Sequence, residues 1–163
     1  MRMGYVLKLG TAIGVSELAG VIGSVFTFSA IPGWYGTLAK PGLTPPGWVF
    51  GPVWITLFAL MGIAAFLVWS SHAKASEDKK KGITVALLLF GIQLALNTLW
   101  SIIFFGLHSP GAALVEIILL WLAILATIVA FARVVKPAAW LLVPYLLWVS
   151  FAAYLNYSIW RLN

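Results

Sequence analysis

The sequence contains no cysteine, so disulfides, thiolate metal sites and thiol nucleophiles are excluded and the redox compartment is left open. Charge is scarce as well. Charged residues make up 9% of the chain, whereas soluble domains carry about a quarter. With 63% hydrophobic residues and a mean hydropathy of +1.04, there is too little polar surface to cover a core in water. A lipid bilayer is the natural solvent. The two histidines, His72 and His108, fall in loops on opposite sides, so no shared metal site is expected. No phosphate-cradling glycine loop and no nucleophile–base pair is visible. The net charge of +6 does not indicate nucleic acid, because the bases are not interleaved with aromatics on one element.

What the chain has in abundance is apolar length. Five runs, 9–30, 49–70, 83–107, 112–132 and 138–159, each come near the ~20 residues that cross ~30 Å of hydrocarbon as helix. None alternates as a strand would, which argues against a membrane barrel. The first run is long for a cleaved signal peptide and carries Glu17. The expectation is an all-α integral membrane protein, a single domain over 1–163 folded as a five-transmembrane-helix bundle. Pro110 and Pro137 are placed to open helices in their first turns. Arg2, Lys8, Lys74, Lys79, Lys80, Lys81, Arg133 and Lys136 fall on the N-terminal side, and only Lys40 and Arg161 on the other. By the positive-inside rule this predicts a cytoplasmic N-terminus and an outside C-terminus in a plasma (inner) membrane.

Within the spans, polar residues recur on particular faces. Gln93, Asn97, Trp100, Ser101 and Phe104 fall within about a third of the helical circumference, and unpartnered amides do not face lipid. That face turns inward, either to staple helices or to line a ligand chamber. In the fifth span Pro144, Trp148, Ala152 and Leu155 share one side, with Tyr145 and Asn156 at its edge. A mid-helix tryptophan such as Trp148 calls for an internal partner or a cavity. In the first span Gly10, Gly14, Gly20 and Ser24 cluster around the face of Glu17 and predict close helix approach. Glu17 and Glu116 are intramembrane carboxylates without a basic partner at depth, which favours helix packing over a proton relay. Trp69, Trp140 and Trp160, near span ends, read as interfacial anchors.

The connection 31–48 leads into the second span as "WYGTLAKPGLTPPGWVFGPVW", residues 34–54. Its prolines fix φ and pre-order the chain, and Trp34, Tyr35 and Trp48 suit the mouth of a pocket at headgroup level. This stretch, "QLALNTLWSIIFFG" in the third span and "AAWLLVPYLLWVSFAAYLNYSIWRLN" in the fifth resemble, in order and spacing, the signatures of the TspO/MBR family. Its members are also called tryptophan-rich sensory proteins or translocator proteins. The resemblance covers residues 9–163.

The resemblance implies a five-helix bundle, commonly a homodimer, with an internal pocket lidded by the first loop. Family members bind porphyrins such as protoporphyrin IX, and some bind sterols or benzodiazepine-type drugs. Carried over, the ligand-binding positions are Tyr35, Pro45, Trp54, Asn97, Ser101, Phe104, Trp148, Ala152 and Leu155. The porphyrin is a ligand, and no cofactor is expected. Trp54 and Trp148 match positions associated in bacterial relatives with light-dependent porphyrin breakdown, so a catalytic role is left open beside receptor and transporter. The five spans show no inverted repeat and no pair of interrupted helices, which disfavours alternating access. The family's sterol motif corresponds to Leu155, Tyr157 and Arg161, where an interfacial tyrosine and a snorkelling arginine are the simpler reading. Two departures from the animal members, Ala112 for an aromatic residue and Ser101-Ile102 for Pro-Pro, weaken the expectation of drug binding.

Overall fold

A computed structural model describes residues 2–72 and 75–163. Of the bases counted by side, Lys74 lies outside the described residues, as does the side chain of Arg2. Every regular element of the described residues is helical: α1 (Arg2–Ala30), α2 (Trp34–Thr37), α3 (Gly47–Ser71), α4 (Glu77–Ser101), α5 (Pro110–Val134), α6 (Lys136–Leu141) and α7 (Val143–Leu162). A π-helical turn, Ile102–Gly106, prolongs α4, and α6 with α7 forms one span broken at Leu142. Five segments are long and apolar enough to cross a membrane.

The helices overrun the apolar runs, which mark only the part that hydrocarbon must surround. α4 starts at Glu77 rather than near 83 because its charged first turns are good helix formers. Glu77 and Asp78 sit favourably at its N-terminus, and Lys80 pairs with Glu77 at 2.7 Å. The break at Leu142, absent from the sequence expectation, follows from Pro144. A proline there has no N–H for the carbonyl of Trp140, so the first turn of α7 cannot continue α6.

α1 packs on α3 and α4, α4 on α5, and α5 on α6 and α7, while α3 packs on α6 and touches α7 through aromatic side chains such as Phe50 on Trp148. On the N-terminal side the interior is solid. Met61, Ala64, Val68, Ile83, Ala86, Ile124, Phe131 and Ala138 are each at most 2% exposed. Small residues set how α1 runs through this packing. Near its start α1 lies on α3: Lys8 sits 5.3 Å over the Trp69 ring, and a Cβ on Gly62 would lie 2.5 Å from the Ile13 Cα. Further along, α1 leans onto α4. Thr98 donates to the Ala19 carbonyl at 3.2 Å, and a Cβ on Gly23 would lie 3.1 Å from the Ser101 hydroxyl. The C-terminal part of α1 therefore separates from α3.

The small-residue face of α1 differs from the expectation. Gly10 and Gly14 do not mediate close approach within this chain, since both are exposed with open space where a side chain would stand. Gly20, Gly23 and Gly62 do so instead. Shared helical phase marked a stripe on α1, but the neighbour it meets changes along its length.

Candidate functional site

Where α1 and α3 part, a cavity of about 530 Å³ opens between α1, α3, the end of α4 and α7. Small-molecule pockets span roughly 300–1,000 Å³. α1 contributes Glu17, Gly20, Ser24, Thr27 and their neighbours, one face of the helix. α3 contributes Phe50, Trp54 and Phe58, α4 with its π-turn contributes Asn97, Trp100, Ser101, Phe104 and Phe105, and α7 contributes Trp148, Ala152, Leu155, Asn156 and Ile159. Val21, Phe28 and Ile55 line it while more than half exposed, so it opens sideways between the C-terminal part of α1 and the N-terminal part of α3.

The walls are aromatic and mutually braced. Trp54 stacks on Phe58 at 5.5 Å, Trp148 meets Phe50 edge-on at 6.0 Å, and Trp100 stacks on Phe104 at 5.1 Å. The polar groups behind them are tied down. Asn97 donates to the Tyr145 hydroxyl at 3.0 Å, with Tyr145 wholly buried. The Trp100 indole N–H donates to the Asn156 side-chain oxygen at 3.1 Å, and the Asn156 amide donates to the Pro110 carbonyl at 2.7 Å. A buried amide with both ends occupied fixes the ring beside it, because the alternative is an unsatisfied group in a low-dielectric interior.

The loop 31–46 closes the C-terminal end. Its short helix α2 sets Trp34 against His108, ring centroids 4.4 Å apart, and edge-on to Phe104 at 5.7 Å. His108 adopts φ 52°, a left-handed conformation that turns the chain between the π-turn and α5. Tyr35 and Pro45 face the cavity, and Lys40 reaches over the Tyr35 ring at 4.9 Å while donating to the Leu38 carbonyl. Burial pushes the Tyr35 hydroxyl above the ordinary tyrosine range, so it meets a guest as a neutral group. The loop is tied to the end of α7. The Asn163 side chain accepts from the Ala39 N–H and donates to the Ala39 carbonyl, each at 3.0 Å.

All nine positions expected to contact a ligand, Tyr35, Pro45, Trp54, Asn97, Ser101, Phe104, Trp148, Ala152 and Leu155, line this one cavity. Other expected groups lie elsewhere. Trp48 is 76% exposed on the outside of the bundle, Pro144 is exposed, and Trp34 braces the loop without lining the cavity. Leu155, Tyr157 and Arg161 do not converge: Leu155 is buried against the cavity while Tyr157 and Arg161 are exposed, since a two-residue step turns a helix by about 200°. Glu116 is buried, with neither carboxyl oxygen hydrogen-bonded among the described residues, and Gln93 meets Met61 sulfur at 3.8 Å. Phe50, Phe58 and Glu17 line the cavity without having been singled out as ligand positions. Glu17 was marked only by its depth, and no periodicity distinguishes the phenylalanines in the uniformly apolar α3. No group of three or more potential metal ligands occurs among the described residues.

Fold and cavity together define an integral membrane protein with an aromatic internal chamber lidded by a proline-rich loop. The chain belongs to the TspO/MBR family, whose pattern residues 12–161 match. It is 49% identical over 158 residues to the tryptophan-rich protein TspO of Chlorobaculum tepidum, covering 97% of both chains. It is 44% identical over 142 residues to the human translocator protein, covering 87% of this chain and 82% of the relative. With the tryptophan-rich sensory protein of Cereibacter sphaeroides it shares 39% identity over 130 residues, 80% of this chain and 77% of that one.

Proposed function

We propose that the protein is a membrane receptor whose cavity binds tetrapyrroles of the protoporphyrin IX kind, and other flat lipophiles, beneath the loop 31–46. The observation that carries this reading is the 530 Å³ chamber walled by Trp54, Trp100, Trp148, Phe50, Phe58 and Phe104. Flat aromatic faces favour a flat apolar macrocycle through area burial, about 25 cal/mol per Å², and through offset stacking. The packed interior on the N-terminal side supports a receptor over a conduit, since the lining of the cavity stops near Glu17 and the core beyond it is closed. The charge bias of the loops further supports a plasma-membrane location with a cytoplasmic N-terminus and the lid outside.

Titration of the purified protein with protoporphyrin IX tests this through quenching of tryptophan emission. The expected result is a saturable curve, with Trp54→Phe and Trp148→Phe each weakening binding by about threefold or more, because each loses ring area on the wall. Quenching that does not saturate, or that is unchanged in both variants, rejects the site.

A further inference from the structure

Glu17 has no place in a chamber built only for apolar rings. It is the only acid among the described residues lining the cavity, and it forms no hydrogen bond or ion pair among them. Lys40, the only base of that lining, is held at the lid, over the Tyr35 ring and on the Leu38 carbonyl, and forms no ion pair with Glu17. One helical turn from Glu17, Gly20 lies against the Phe58 ring, close enough that a Cβ there would overlap it. Phe58 is in turn stacked on Trp54 at 5.5 Å. The inner end of the cavity thus combines an unpaired carboxyl with aromatic faces, the two groups that together hold an organic ammonium away from water. A carboxyl at this depth is costly alone and is satisfied by a partner that completes a net-neutral pair.

We propose that this end of the cavity is a subsite for lipophilic amines, with the nitrogen on the Glu17 carboxyl and the ring system along Trp54 and Phe58. The proposal rests on the chamber admitting guests, not on those guests being tetrapyrroles. The test compares two flat probes of matched size, 9-(methylaminomethyl)anthracene and its neutral ether 9-(methoxymethyl)anthracene. Energy transfer from tryptophan is measured at neutral pH in detergent, with empty micelles subtracted. The amine is expected to bind the wild-type protein about tenfold more tightly than the ether. In Glu17→Gln the difference falls to about twofold or less, and Glu17→Leu, whose side chain is at home in a membrane helix, reads the same loss should the first variant not fold. Equal affinity of the two probes for wild type overturns the proposal, as does a preference that survives loss of the carboxyl. A parallel protoporphyrin IX titration keeps the two readings apart: normal porphyrin quenching with no amine preference removes only the amine subsite, and amine preference without porphyrin quenching removes only the tetrapyrrole reading.

Discussion

Gly62→Ala asks whether the course of α1 controls the chamber. The new Cβ would stand 2.5 Å from the Ile13 Cα and 2.9 Å from its backbone nitrogen. Ordinary carbon contacts lie at about 3.5–4.0 Å, so α1 must retreat by roughly 1 Å. Backbone cannot swing aside as a side chain can. Overpacking of this kind costs about 1–3 kcal/mol, against a gain of up to about 1 kcal/mol from replacing glycine within a helix. The net expectation is a loss of about 1–2 kcal/mol. Gly14→Ala supplies the control, because that position faces open space and takes only the propensity gain. Thermal unfolding in detergent, followed by helical circular dichroism, should rank Gly14→Ala at or above wild type and Gly62→Ala below it. Protoporphyrin IX quenching should weaken in Gly62→Ala alone, since α1 and α3 flank the cavity. A Gly62→Ala protein as stable as wild type, with the same titration curve, would show that the Gly62–Ile13 contact does not set the course of α1.

Asn156→Leu strips partners from the Trp100 indole N–H and the Pro110 carbonyl. It should destabilise the bundle by about 1–3 kcal/mol in a thermal or SDS-unfolding assay, the lower end being typical of hydrogen bonds between membrane helices. Tyr145→Phe removes the acceptor of Asn97 and should cost about 1 kcal/mol or less, because the freed amide faces the cavity and can be hydrated there. Asn163→Ala unties the loop from the end of α7 without touching the chamber. It should speed porphyrin dissociation in a stopped-flow chase while leaving the unfolding midpoint within about 0.5 kcal/mol of wild type.

The sequence marks the five spans well because hydrocarbon imposes one requirement on all of them. It says less about where helices end: the charged starts of α1 and α4 remain helical beyond the apolar stretch, and Pro144 breaks the fifth span inside one apolar run. The inward face of α4 is legible because Asn97, Ser101 and Trp100 carry polar atoms that lipid does not accept. α3 carries no such contrast, so Phe58 is hidden among equivalent residues, and the glycines of α1 show where helices can approach without saying which neighbour does. The opening between α1 and α3 depends on α1 meeting two partners in succession, a tertiary fact with no local signature.

On the reading proposed above, guests occupy the space beside Ala152. An indole placed there by Ala152→Trp fills the cavity between α7 and the opposite aromatic wall. The measurement is the protoporphyrin IX quenching curve of that variant, taken on protein whose helical content and elution match wild type. Saturable quenching should disappear. An unchanged curve on a correctly folded variant would place the ligand outside this cavity.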